Sequence, residues 1–144
     1  MALPMKKSLI ASLVLASTSF TLPVFADTQK VADIANRIEG DVIKWRRHFH
    51  QNPELSNREF ETAKTIAKFL EDLDLEVTTG IAKTGVVGLL DTGKPGPTIA
   101  LRADIDGLPV TENTGLPFAS KAMGELDGNQ VGVMHACGHD THIA

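Results

Sequence analysis

The fold class is decided by residues 60–80, which read FETAKTIAKFLEDLDLEVTTG. In the first half, apolar residues such as Ala63 and Ala67 recur at steps of three and four, the spacing of one helix face. From Leu75 onward, apolar and polar residues alternate until Gly80, which is the spacing of a strand. A helix that leads directly into a strand predicts an α/β domain.

A further helix is predicted upstream, over residues 31–50. Its apolar face consists of five residues at steps of three and four: Ile34, Ile38, Val42, Trp45 and Phe49. The pair Asn52-Pro53 ends this helix, because proline cannot continue the hydrogen-bond ladder and disfavours helix in the residue before it. Two helices therefore precede the strands.

Downstream of Gly80 the pattern predicts three more short strands, over residues 85–90, 98–103 and 131–134. Residues 91–97 are dense in turn-forming residues and separate the first two of these strands. Residues 107–129 contain scattered proline, glycine and polar residues, so they are predicted to form a long loop.

The first 26 residues have the three parts of a secretory signal peptide in order. Lys6 and Lys7 provide the positive start, residues 8–16 form a short apolar run, and Val24-Phe25-Ala26 ends in a residue suited to cleavage. The alternatives are a buried N-terminal helix or a membrane anchor. The signal predicts a mature domain over residues 27–144 that is secreted or periplasmic and has no membrane association after cleavage.

Charge and composition argue against nucleic acid as a partner. The 144 residues carry a formal charge of -4 and contain no run of lysine and arginine. Phosphate binding depends on clustered basic side chains, and stacking on bases depends on aromatic ones. The chain has no tyrosine, and Trp45 is its single tryptophan.

Cys137 and His139 form the first candidate site. Side chains two residues apart in extended or turn backbone can point to one side, and Gly138 between them adds backbone freedom. Thiolate and imidazole suit zinc, manganese, nickel or cobalt, although at least one more ligand is needed. A small buried thiol beside a hydrogen-bonded histidine, or a thiol–imidazole nucleophile pair, would also fit this spacing.

Asp104 and Asp106 form the second candidate site, at the end of the strand predicted over residues 98–103. Alternation places both carboxylates on one face, and two close carboxylates favour a nearby cation. A solvated turn in which each aspartate bonds to backbone is the alternative. His48 and His50, at the end of the first helix, are interpreted as surface or capping residues.

Three ordered stretches resemble the M20 metallopeptidase family, in the branch with hippurate hydrolase and N-acyl-amino-acid hydrolases. They are residues 45–56 (WRRHFHQNPELS), 101–109 (LRADIDGLP) and 134–142 (MHACGHDTH). The resemblance implies an α/β, zinc-peptidase-like catalytic domain with two helices and then a mixed sheet. It places Gly107 where alanine is more common.

The resemblance implies a centre of two divalent metal ions, with Zn, Mn, Ni and Co as the candidates. Cys137 and His139 fall on ligand positions, and Asp106 falls on the catalytic aspartate that orients a ligand. Asp104 and Asp140 are candidates for supporting residues.

The remaining ligands and the general base of the family, a glutamate, fall outside these 144 residues, as does a lid and dimerisation domain. The chain is thus expected to be truncated and inactive alone. The whole protein is expected to hydrolyse small N-acyl amino acids, and a homo-oligomer is one candidate for its assembly. A same-family aminopeptidase or carboxypeptidase and a non-catalytic remnant are the alternatives.

Overall fold

A computed structural model describes residues 27–144 of the protein. The predicted signal peptide, residues 1–26, lies outside the described residues. Among the helices that are described, none combines the length and the apolar character needed to cross a membrane.

The first helix, α1, runs from Thr28 to Gln51 and confirms the upstream helix predicted from its apolar face. The side chain of Asp27 caps it by accepting a hydrogen bond from the backbone N–H of Lys30 at 3.1 Å. Most of α1 is exposed, and within it only Phe49 and His50 are fully buried. The helix therefore joins the fold through its C-terminal end.

The second helix, α2, spans Phe60–Asp72 and packs on an antiparallel hairpin of β1 (Glu76–Ile81) and β2 (Gly85–Leu89). The helix and the strand that the change of apolar spacing within residues 60–80 predicted are thus confirmed. A Cβ on Gly88 would lie 3.0 Å from Leu70 Cδ1, so glycine allows α2 to approach the hairpin closely.

A second antiparallel hairpin consists of β3 (Met123–Leu126) and β4 (Asn129–Gly132). β3 lies within the region predicted to be a loop, and β4 overlaps the start of the strand predicted over residues 131–134. The two turn residues of the hairpin, Asp127 and Gly128, both have positive φ, at 51° and 79°. Those angles match the tight hairpin turn that an Asp-Gly pair favours. The chain then enters a short helix, α3, over His139–Ile143.

The strand predicted over residues 98–103 is wrong, and the sheet is two separate antiparallel pairs rather than one mixed sheet. An extended segment becomes a strand only when a neighbour accepts its hydrogen bonds, and no described residue pairs with this one. Ile99 and Leu101 are 80% and 96% exposed. We call residues 89–101, all of them exposed, the uncovered segment.

The small apolar core joins the three sequence stretches that carry the family resemblance. Leu55 and Val133 are buried, and both would contact a Cβ added to Gly124. A Cβ on Gly107 would lie 2.9 Å from Pro53 Cβ and 3.0 Å from Val133 Cγ1. An alanine at position 107 would therefore require the side chain of Pro53 or Val133 to shift.

Candidate metal centre

Backbone hydrogen bonds bring the three sequence stretches together. The N–H of Gly107 donates to the carbonyl of Glu54 at 2.7 Å, next to a parallel bridge between Leu55 and Gly107. Leu108 and Met134 exchange two backbone hydrogen bonds, at 2.8 and 3.0 Å. These bonds set the loop of Asp104 and Asp106 beside the segment that carries Cys137, His139 and Asp140.

The imidazole of His139 is held by Asp106. Its Nδ1 lies 2.8 Å from Asp106 Oδ1 and 3.0 Å from the Asp106 carbonyl oxygen. Two oxygen acceptors at Nδ1 place the ring proton there, which leaves Nε2 with a free lone pair. A carboxylate that fixes the tautomer of a histidine in this way is the usual support of a metal-binding imidazole.

Asp104, His139 and His142 each offer a ligand atom, and these three atoms lie within 4.8 Å of one another. His139 and His142 are three residues apart on α3, and their rings stack with centroids 5.1 Å apart. Asp104 Oδ2 lies 3.8 Å from His142 Nδ1. Two imidazoles and a carboxylate suit zinc, manganese, nickel or cobalt, so these residues fit a divalent metal ion.

Cys137 is a free, exposed thiol and is not among those three donors. The turn between it and His139 depends on Gly138, whose φ of 79° lies in the left-handed region that favours glycine. Because Asp106 occupies Nδ1 of His139, that nitrogen is not turned toward the thiol. The ligand roles of Cys137 and His139 and the catalytic role of Asp106 stay predictions.

Asp140 is a buried residue, 1% exposed, and its side chain lies in a cluster of four polar groups. Its Oδ2 accepts a hydrogen bond from Arg46 Nε at 2.9 Å and lies 2.9 Å from His50 Nδ1. On the far side of the ring, His50 Nε2 lies 3.1 Å from Glu112 Oε1. We call Arg46, His50, Glu112 and Asp140 the polar cluster.

The Glu112 carboxylate is fully buried and has its own set of donors. Burial raises the pKa of this carboxyl, but hydrogen bonds from the Thr114 hydroxyl and the Ser120 backbone N–H act in the opposite direction. Together with His50 they hold the pKa of Glu112 below its ordinary value of 4.5. Glu112 is therefore ionised and negatively charged at neutral pH.

His135, in the last of the three stretches, is 3% exposed, and neither of its ring nitrogens has a hydrogen-bond partner among the described residues. Burial lowers its pKa below the ordinary 6.5 and outweighs the opposing effect of the Asp140 carboxylate. The ring is therefore neutral at physiological pH.

Most of the residues that contact Asp140 and His139 were not predicted from the sequence. His142 repeats His139 at helical spacing, which is a usable pattern. His50 was interpreted as a surface or capping residue, but it is buried between two carboxylates. Glu112 lies outside the three stretches, and His135 lies within the last one without a recognisable role, so only the tertiary fold could reveal their surroundings.

Residues 100–144 match the sequence profile of peptidase family M20/M25/M40. Thermostable carboxypeptidase 1 of Saccharolobus solfataricus is 48% identical over 117 residues, which are 81% of this chain and 28% of that protein. Hippurate hydrolase of Campylobacter jejuni is 46% identical over 105 residues, which are 73% of this chain and 25% of that enzyme.

A crystal structure shows the same fold. The YXEP protein of Bacillus subtilis, a dinuclear metal-binding peptidase of the M20 family, matches with a TM-score of 0.62 and 44% identity. The match covers 74% of this chain and 29% of that one. The chain thus spans between a quarter and a third of the length of these three proteins.

Proposed function

Because the chain belongs to the M20 peptidase family, we propose that the whole protein is a metal-dependent amidohydrolase of N-acyl amino acids. Its substrates are small and hippurate-like, and its products are a carboxylic acid and a free amino acid. The similarity to hippurate hydrolase supports this substrate class. The observation that carries the proposal is the contact at 2.8 Å between Asp106 and His139, which prepares the imidazole to bind a metal.

Two divalent ions are proposed as the cofactor, as in the dinuclear relative from Bacillus subtilis. Cys137 and His139 would contribute ligands, while Asp106 keeps the proton on Nδ1 of His139. Ions bound here would supply a water of lowered pKa and stabilise negative charge on the amide oxygen. The chain's own contribution is to orient His139 and to hold its neighbour Asp140 in the polar cluster.

The first test is hydrolysis by the protein purified from its natural source, after loading with each of Zn²⁺, Mn²⁺, Ni²⁺ and Co²⁺. Release of amino acid from benzoyl- and acetyl-amino acids is the expected result. The 144-residue chain, prepared in parallel, is expected to release none, because a complete centre needs more ligands than Cys137 and His139. No release by the natural protein with any of the four metals would favour the non-catalytic alternative.

The ligand role of Cys137 has its own test. Cys137→Ser in the active protein is expected to lower metal content and hydrolysis together, because the alcohol replaces a thiolate ligand. His48→Ala, an exposed histidine outside both clusters, is the control and should change neither. Full metal content and full activity in Cys137→Ser would reject this ligand.

A carboxypeptidase is the second candidate, favoured by the 48% identity to thermostable carboxypeptidase 1. The two activities differ in the acyl group, which is a small acid in one case and a peptide in the other. A panel of benzoylglycine, acetylglycine and peptidyl-glycine substrates separates them. Faster release of glycine from the peptides would select the carboxypeptidase.

Secretion to the periplasm or beyond is also proposed, from the positive start, apolar run and cleavage site within residues 1–26. N-terminal sequencing of the natural protein should then begin near Asp27. A soluble product that retains Met1 in the cytoplasm would refute secretion.

A further inference from the structure

We propose that His50 is a positioning residue for the metal centre, acting through Asp140 on the turn that carries Cys137 and His139. The inference rests on the proposed function in one respect, which is that this turn supplies metal ligands. No motif assigned a role to His50, and it does not lie among the three donors that gather around His139.

The first step is the position of His50 between two carboxylates. Its ring nitrogens face carboxylate oxygens, at 2.9 Å in Asp140 and 3.1 Å in Glu112. The residue is 4% exposed, so water competes little for either nitrogen. The buried ring therefore joins the two carboxylates.

The second step is the set of partners that surrounds the two carboxylates. Asp140 accepts a hydrogen bond from Arg46, and His50 lies between Asp140 and Glu112. Buried charges persist only when they are paired and hydrogen-bonded. The rings of Phe118 and His50 meet edge to face with centroids 5.5 Å apart, and Arg46 lies 5.6 Å from the same Phe118 ring. His50 is the central member, since it alone contacts both carboxylates.

The third step is the orientation of the short helix α3 by the long helix α1. The turn before His139 depends on Gly138 at a φ of 79°, and the helix that follows has five residues, too few to hold its own direction. Asp140, directly after His139, is tied to Arg46 and His50 at the buried end of the 24-residue helix α1. The long helix therefore fixes the orientation of the short one, and with it that of His139.

The test compares metal affinities of the whole protein by competition with a chromophoric chelator, using Co²⁺ alone as the probe. His50→Gln keeps a hydrogen-bonding side chain but cannot join the two carboxylates as the ring does, and we expect roughly tenfold to a hundredfold weaker binding. His48→Gln, two residues earlier on the same helix and exposed, is the matched control, expected within about twofold of the wild type.

A double-mutant cycle separates positioning from general stabilisation. If His50 acts through Asp140, the losses in Co²⁺ affinity from His50→Gln and Asp140→Asn will not multiply in the double variant. Trp45 fluorescence and circular dichroism verify that each variant is folded at the temperature used. Should His50→Gln not fold, Glu112→Gln is used instead and should weaken binding by roughly threefold.

Wild-type Co²⁺ affinity in a folded His50→Gln protein, or losses that multiply in the double variant, would overturn the positioning role. If Glu112→Gln is the variant used, unchanged affinity overturns it equally. Hydrolysis is assayed separately. Absent hydrolysis with weakened Co²⁺ binding in His50→Gln rejects the proposed function alone, and normal hydrolysis with unchanged binding rejects the positioning role alone.

Discussion

The polar cluster and the uncovered segment differ in how many of their contacts the described residues provide. In the polar cluster, every side chain has a polar partner within 3.1 Å, although its members come from positions as far apart as Arg46 and Asp140. In the uncovered segment, residues 89–101, the apolar side chains of Leu90, Ile99 and Leu101 remain largely in contact with solvent.

The difference teaches which interactions residues 27–144 complete among themselves. A buried charge without a partner costs several kcal/mol. The polar cluster can be buried because its members contact one another. Exposed apolar side chains lack the stabilisation of about 25 cal/mol per Å² that burial of their surface would give. They leave no hydrogen-bonding group unpaired. A large exposed apolar surface marks a place where contacts form.

The largest expected effect is on the cluster. Asp140→Ala leaves His50 and Arg46 without their shared acceptor, and we expect the free energy of unfolding to fall by about 3 kcal/mol. Urea denaturation followed by circular dichroism measures it. Asp72→Ala, which removes an exposed ion pair with Lys68, is the control, and its loss should stay below about 1 kcal/mol. Equal losses in the two variants would mean that the Asp140 contacts stabilise the fold no more than an exposed ion pair does.

A smaller effect concerns His135, a buried ring that has no hydrogen-bond partner among the described residues. Its pKa is lowered by burial, so the unfolded chain binds a proton more readily than the folded one. Stability is therefore fully present above pH 6.5 and declines as the pH falls below that value, by less than about 1.4 kcal/mol per pH unit.

His135→Leu removes this titration, so its stability should change less between pH 7 and pH 5.5 than that of the wild type. Thermal or urea unfolding at the two pH values is the measurement, and His48→Leu is the control that keeps the slope. An unchanged slope in His135→Leu would show that another group controls this pH range.

The smallest expected effect tests the uncovered segment. Leu101→Ala should change the free energy of unfolding by less than about 0.5 kcal/mol, because the side chain is 96% exposed. Leu55→Ala, in the buried core, should cost about 2–5 kcal/mol. If both leucines proved equally costly, residues 89–101 would be covered in solution, and the contrast with the polar cluster would disappear.

The local elements were largely predictable. Apolar spacing predicted both long helices and the first hairpin, because a helix face and a strand face each repeat within a few residues. The second hairpin could have been found from Asp127-Gly128, a pair that favours the required turn. The strand over residues 98–103 was predicted wrongly, since composition makes a segment extended but only a paired neighbour makes it a strand.

The candidate site was predictable only in part, and the division follows from what a sequence can encode locally. By itself the sequence determined the two helices, the strands β1 and β2, and the ordered stretches that resemble the M20 family. Tertiary structure decided that Asp106 holds His139, that His50 is buried between Asp140 and Glu112, and that residues 98–103 have no strand partner among the described residues. Partners 33 to 90 residues apart meet only when the chain folds, because no local spacing rule relates them.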